Sequence, residues 1–269
     1  MEVNKVKERI DLLLVKKGLV ESREKAKRLI MSGNVIVNEE RVDKVGKLVD
    51  INATIRIKQK EKYVSRGGYK LEGAHKSFKF EIKDKIACDI GASTGGFTDF
   101  LLQNGIKKVY CVDVGYGQLH WKIRNNKKTI VLEKTNAKNL DLEEKVDLAV
   151  CDVSFISITK IFPTIKKILK DDGEAVVLIK PQFEAGKSKV GKGGIVRDPK
   201  VHVEVITKVI NSTIANGLKP ISLDYSKIKG TDGNIEYFLY LKNSKETINF
   251  ENININIEEI VKKAWEDLK

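Results

Sequence analysis

Apolar positions along the 269-residue chain follow two rhythms, and the rhythm changes near Tyr63. Before that point, helical spacing comes first. Val6, Ile10, Leu13 and Leu14 share one face, which predicts a helix over Lys5–Lys17, capped by Asn4 and stopped by Gly18. Ser22 caps a second helix, Arg23–Met31, with Ala26, Leu29 and Ile30 inward and Gly33 past its end. Short apolar runs follow: Val35–Asn38, a turn at Glu39-Glu40, then Val45–Asp50 and Thr54–Ile57. These read as strands of a small α+β module over residues 1–58, joined by a charged linker, 59–62, to a larger domain, 63–269.

From Tyr63 onward, continuous apolar runs alternate with helical stretches. The runs are Lys85–Cys88, Lys108–Asp113, Thr129–Leu132, Val146–Asp152, Glu174–Pro181, Ile221–Tyr225 and Ile235–Leu241. Unbroken runs of this length suit strands buried on both faces of a mostly parallel sheet. Helices are expected over Leu71–Phe78, from Phe100 to a stop at Gly105, over Ile158–Leu169 with an early interruption at Pro163, and over the amphipathic Ile257–Leu268. The larger domain is therefore α/β, with a Rossmann-like seven-stranded sheet.

The first run leads into Asp89-Ile90-Gly91-Ala92-Ser93-Thr94-Gly95-Gly96-Phe97-Thr98-Asp99. Strand, glycine-rich turn and helix form the first unit of a nucleotide-binding sheet. A dinucleotide fingerprint needs G-x-G-x-x-G to seat a pyrophosphate. Here three residues separate Gly91 from Gly95, and Asp89 and Asp99 flank the turn. Negative charge repels phosphate and suits the sulfonium and ammonium of S-adenosylmethionine. Asp113, ending the second run, is placed to accept from ribose hydroxyls, and Asn136, after the third, to meet the adenine. The cofactor set is then Asp89, Gly91, Ala92, Ser93, Thr94, Gly95, Gly96, Phe97, Thr98, Asp113, Asn136 and Asp152.

Charge points to a polyanion. The net charge is +13, and residues 1–80 hold 20 Lys+Arg against 11 Asp+Glu. Arg23, Lys25, Lys27 and Arg28 interleave with the apolar positions of the second helix, a footprint suited to RNA phosphates. Gln118–Asn125, with His120, Trp121, Lys122 and Arg124, is equally a nucleic-acid contact or a helix packed by Leu119 and Ile123. Glu184–Arg197 holds four glycines and four basic residues and reads as a mobile loop over substrate. The cysteines, Cys88, Cys111 and Cys151, form no CxxC pair and read as buried thiols, so no metal site is expected. With no signal-peptide core and no apolar run near the roughly 18 residues of a membrane span, a cytoplasmic monomer is expected.

Arg9-Ile10-Asp11, Gly18-Leu19-Val20, Ser22–Ala26, Ile30, Gly33, Val35, Val37-Asn38 and Val42 resemble an S4 RNA-binding domain, with Asn38-Glu39 where that family usually has Asn-Gly. Ser65–Leu71, Asp89–Asp99, Asp152–Ser157, Leu178–Glu184 and Gly233–Phe238 together resemble the TlyA family, which joins an S4 domain to an FtsJ-like, class I S-adenosylmethionine-dependent methyltransferase domain. The resemblance covers nearly the whole chain. It implies a Lys-Asp-Lys-Glu tetrad at Lys70, Asp152, Lys180 and Glu236, acting on the ribose 2′-hydroxyl of cytidines in ribosomal RNA. It also implies RNA contacts at Arg9, Arg23, Lys25, Lys27, Arg28 and Arg66. A lysine at such a site takes the hydroxyl proton if neighbouring charge and burial tune it; an Asp and a Lys at adjacent strand ends are also a common salt bridge. Two other functions compete. A noncatalytic ribosome-assembly factor would not need all four tetrad positions. A membrane-active hemolysin, the family's other name, has no spanning segment to support it.

Overall fold

The computed structural model describes residues 6–58, 62–245 and 253–268. The expected cap Asn4 and most of the expected linker lie outside them. The chain divides into two compact units, Met1–Lys62 and Tyr63–Lys269.

In the first unit, β1 (Lys7–Arg9) precedes α1 (Ile10–Lys16) and α2 (Arg23–Met31); β2 (Val35–Val37), β3 (Glu40–Val42), β4 (Leu48–Asp50) and β5 (Ile55–Ile57) follow. β1 pairs antiparallel with β4, and β3-β2-β5 make a second sheet. The predicted first helix thus starts five residues late. Residues 7–9 hydrogen-bond across to 48–50, and Val6 is exposed rather than on the apolar face. Ile10, Leu13, Leu14, Ala26, Ile30, Val35 and Val49 close the core. Ser22 caps α2 by accepting from the Lys25 N–H.

The second unit begins with α3 (Arg66–Phe78), β6 (Ile86–Ile90), α4 (Gly96–Gln103), β7 (Lys108–Val112), α5 (Trp121–Arg124), β8 (Thr129–Leu132) and β9 (Val146–Cys151). It continues with α6 (Phe162–Ile168), β10 (Leu169–Ile179), α7 (Pro181–Glu184), α8 (Pro199–Ala215), β11 (Leu218–Tyr225), β12 (Tyr237–Asn243) and α9 (Ile257–Asp267). The seven strands run in the order β11-β12-β10-β9-β6-β7-β8, with β12 antiparallel to both neighbours. Alternate strand residues serve opposite faces. Cys88, Tyr110, Ala149 and Val177 pack with α6, α8 and α9, whereas Ala87, Val109, Leu148 and Val176 pack with α3, α4 and α5. That two-sided burial is why the runs are apolar throughout. All three cysteines are buried and free.

Three expectations are revised here. Pro163 sits in the first turn of α6, where its missing N–H interrupts nothing. α3 starts at Arg66 rather than Leu71, so Gly67 and Gly68 lie within the helix. They allow close packing: a Cβ on Gly96 of α4 would collide with Ser65 Oγ and the Gly68 backbone N. α8 was not anticipated, although Asp198-Pro199 and the spacing of Val201, Val205, Ile206, Val209 and Ile210 mark it. Among the described residues no helix is long and apolar enough to cross a membrane.

Candidate active site

The parallel strands deliver their carboxyl ends to one edge of the sheet. Ile90 pairs with Cys151 and Val177 with Cys151, so the residues that follow, Gly91 and Asp152, emerge side by side. β12 runs the other way, and its pairing of Tyr237 with Ile179 sets Glu236 next to Lys180 at the same edge. Lys70 arrives from the second turn of α3.

These groups line a cavity of about 370 Å³ formed by Ser65, Arg66, Gly67, Lys70, Asp89, Gly91, Ala92, Ser93, Thr94, Gly96, Phe97, Asp152, Ser154, Lys180, Thr231 and Glu236. Lys180 Nζ lies 2.6 Å from Asp152 Oδ1 and donates to Ser154 Oγ at 2.8 Å. Lys70 Nζ donates to Glu236 Oε2 at 2.5 Å. Both lysine side chains are nearly buried, at 10% and 11% exposure for Lys70 and Lys180. Burial pushes the Glu236 carboxyl above its ordinary range, against the pull of Lys70.

A second cavity of about 330 Å³ shares Gly91, Ser93, Asp152 and Ser154 with the first and adds Val112, Asp113, Gln118, Asn136 and Phe155. The two form one cleft over the strand ends. Asp113 accepts from the backbone N–H groups of Ser93 and Gly115, which fixes its carboxylate at the cleft wall. Asn136 Oδ1 accepts from Lys138 N, and the residue borders the same cavity.

The turn departs from its expected layout in three places. Gly95 and Thr98 line neither cavity. Gly95 caps α4 in left-handed conformation against Leu119 and Ile123, and Thr98 donates its N–H and hydroxyl to Asp89 Oδ2. Asp99 does not add charge to the cleft. It is buried and accepts from Val64 N, Gln103 Nε2 and Lys122 Nζ, because it lies on the far side of α4's first turn. Of the two carboxylates that flank the turn, only Asp89 borders the cleft. Its Oδ1 is buried without a hydrogen-bond partner, and burial raises its carboxyl to about 7.

The RNA-contact candidates of the first unit are partly committed elsewhere. Arg9 donates to both oxygens of the buried Asp11, and Arg23 Nε donates to Oδ2 at 2.7 Å. The Arg9 hydrogen bond first, then Arg23, holds the Asp11 carboxyl down to about 2. Lys25 and Lys27 pair with Glu21 and Glu24, and Arg28 is exposed. In the second unit Arg66 borders the cleft and donates to the Lys229 carbonyl.

Sequence reasoning missed several groups at the cleft. Ser154 and Phe155 come two and three residues after Asp152, inside a phrase already marked by its resemblance. Phe155 stands at the rim, 92% exposed and in left-handed conformation, with its ring 5.2 Å from that of Phe183. Ser65 opens another of those phrases, whereas Thr231 carried no signal. The anticipated mobile loop is tied at both ends: Glu184 accepts from Ser157 Oγ and Ile158 N, while Asn234 and His202 hold Val196.

A profile of FtsJ-like methyltransferases matches residues 63–243, and a profile of S4 domains matches residues 8–55. The chain belongs to the FtsJ-like methyltransferase family. Bacillus subtilis YqxC, named provisionally as an rRNA methyltransferase, is 50% identical to it over 240 residues, spanning 87% of this chain and 85% of its own length. The 16S/23S rRNA (cytidine-2′-O)-methyltransferase TlyA of Mycobacterium tuberculosis is 40% identical over 239 residues, spanning 87% of this chain and 89% of its own. A solved structure from Streptococcus thermophilus, named provisionally as a hemolysin, superposes with a TM-score of 0.75 at 43% identity, covering 98% of this chain and 97% of its own.

The cofactor of this FtsJ-like chain is S-adenosylmethionine, and the cleft suits it. The unpartnered Asp89 Oδ1 fits an ammonium. Gly91 leaves room that a Cβ, 2.6 Å from the Asp152 carbonyl oxygen, would fill. Asp113 and Asn136 offer polar groups to the nucleoside end.

Proposed function

We propose that this chain methylates the ribose 2′-hydroxyl of cytidines in ribosomal RNA. The observation that carries the proposal is the convergence of Lys70, Asp152, Lys180 and Glu236 on the cavity that the glycine turn also lines. S-adenosylmethionine, bound through Asp89, the turn and Asp113, supplies an electrophilic methyl group. Lys180 Nζ meets the incoming hydroxyl and takes its proton as the oxygen attacks. Asp152, 2.6 Å away, stabilises the ammonium that results, and Ser154 fixes the direction of the amine. Lys70 and Glu236 form the opposite wall, and their short ion pair keeps Lys70's charge at the site rather than in solvent. Positioning of oxygen, methyl and sulfur in line carries much of the remaining rate. The basic S4 unit supplies affinity: Arg28 faces solvent, and the outer guanidinium faces of Arg9 and Arg23 are oriented by Asp11. The named activity of the M. tuberculosis relative supports ribosomal RNA and cytidine as the substrate.

The test compares Lys180→Ala and Lys180→Arg in single-turnover methyl transfer to unmodified ribosomal subunits, with ribose methylation mapped on the RNA. Both variants lose transfer at least about 100-fold while still binding cofactor and RNA, because arginine keeps the charge but does not deprotonate. An active Lys180→Arg enzyme refutes the proton-acceptor role and leaves Lys180 as a structural partner of Asp152.

A further inference from the structure

The segment Gln118–Asn125 does more than pack. Leu119 and Ile123 are buried in the core, which accounts for its inward face. Nothing inward accounts for Trp121, which stands 71% exposed at the start of α5. Val114 and Tyr116, a few residues earlier, are 70% and 72% exposed. Single exposed apolar side chains are ordinary on a protein surface, but three of them within eight residues mark a contact surface.

The backbone holds these residues in place. Glu133 Oε1 accepts from Gly117 N at 2.9 Å and from Arg124 Nη2 at 2.5 Å, which ties the Tyr116 loop to the end of α5. His120 N donates to the Thr94 carbonyl and Lys134 N to the Gly115 carbonyl. Lys134 Nζ lies 4.6 Å from the centre of the Tyr116 ring. The charge around the rings has one sign. Over residues 114–140 the exposed charged side chains are Lys122, Lys127, Lys128, Lys134 and Lys138. The one acid in that stretch, Glu133, is 10% exposed on its side chain and is taken up by Arg124. Val114 and Gln118 also line the cofactor cleft, so the patch continues from its rim, whereas Tyr116 and Trp121 line neither of its cavities.

We infer that Tyr116, Trp121 and the surrounding lysines form an RNA-binding surface of the methyltransferase unit. Unpaired bases of the substrate RNA stack on the two rings while the lysines meet its phosphates. The chemistry selects this partner: every base offers a ring face, and every nucleotide adds a phosphate. A protein of mixed charge finds no exposed acid here to meet its basic groups. RNA that brings a 2′-hydroxyl into the cleft has its neighbouring nucleotides at the rim, where the patch begins. The inference rests on the ribose methylation proposed above for the identity of the RNA, and it adds an anchor outside the S4 unit.

The experiment uses the full chain and purified ribosomal subunits lacking the modification. Affinity for the subunits is measured across a range of salt concentrations, with S-adenosylmethionine affinity, Tm and methyl transfer measured in parallel. Trp121→Ala and Tyr116→Ala each weaken subunit binding about 5- to 100-fold. Cofactor affinity and Tm stay at their wild-type values, since both side chains are exposed and outside the cleft. Trp121→Phe keeps most of the affinity and Trp121→Leu does not, because stacking needs a ring. Replacing Lys127 and Lys138 together by Gln lowers the salt slope by about one to two. Wild-type affinity in either alanine variant, or an unchanged salt slope in the lysine variant, overturns the inference. Full affinity in Trp121→Leu also overturns it and marks the patch as an apolar contact for a protein. Cofactor affinity that falls in step with subunit affinity overturns it by placing the rings in the cofactor site. Subunit binding lost in the variants, with no methyl transfer by wild type, leaves the surface standing and overturns the ribose methylation. Transfer by wild type, with unweakened variants, does the reverse.

Discussion

Cofactor binding should titrate with Asp89. The residue is 1% exposed; Oδ2 takes the Thr98 N–H at 3.0 Å and the Thr98 hydroxyl at 2.6 Å, and Oδ1 has nothing. Burial therefore favours the neutral acid and raises the carboxyl to about 7, despite the Thr98 bonds. The sign follows from linkage. A carboxyl raised in the folded state binds its proton more tightly there than in the unfolded chain. Its contribution to stability is full below about pH 4 and is lost as pH climbs to 7, at about 1.4 kcal/mol per unit. The cofactor ammonium reverses the preference, since it pairs with the carboxylate. Affinity should therefore rise nearly tenfold per unit up to pH 7 and then level, about thirtyfold in all between pH 5.5 and 8. Calorimetry across that range reads it directly, and the cofactor-induced rise in Tm should grow in step. Asp89→Asn keeps an acceptor for Thr98 but loses the charge. It should weaken binding by about 1.5–3 kcal/mol and flatten the profile. A flat wild-type profile refutes the argument. A slope retained in Asp89→Asn would move the titration to another raised carboxyl, with Glu236 the nearest candidate.

Two further outcomes follow from close contacts. Gly91→Ala places a Cβ 2.6 Å from the Asp152 carbonyl oxygen at φ +83° and should lower stability by about 1–3 kcal/mol while weakening cofactor binding, read by thermal melting and calorimetry; an unchanged protein would remove the close-approach argument. Asp11→Ala should lower the stability of the S4 unit by only about 1–2 kcal/mol, because the freed faces of Arg9 and Arg23 can hydrate. Since Asp11 is held down to about 2, its contribution is present above about pH 4 and fades as pH falls towards 2. Circular dichroism should show that acid loss in wild type and not in the variant.

What could be read in advance depended on how many faces an element buries. The parallel strands are covered on both sides, so Ile86–Ile90, Val146–Cys151 and the Ala175–Ile179 end of β10 stand out as largely apolar runs, and the residues that follow them, Gly91, Asp152 and Lys180, could be named. β1 could not. Lys7-Glu8-Arg9 is polar at every position, and only backbone pairing with Leu48–Asp50 makes it a strand. Asp99 misled for a related reason. Its place beside a glycine turn suggested charge for the cofactor, but a helix turns successive residues by about 100°, which directs its carboxylate to Val64 and Lys122 instead.

Glu236 shows where local pattern gives out. The run from Ile235 to Leu241 carries no mark of strand direction, and in a fully parallel sheet its start would lie at the edge away from Lys180. β12 instead enters between β10 and β11 and runs against both. That reversal brings the residue before Tyr237 level with the residue after Ile179, and so gives Lys70 a buried carboxylate 2.5 Å away. Without it Lys70, only 10% exposed on its side chain, would carry an uncompensated charge into the cleft, at a cost of several kcal/mol. A tetrad drawn from one helix, two parallel strand ends and one reversed strand is thus a property of topology. The sequence phrases around the four residues carry its chemistry, and the antiparallel strand carries its geometry.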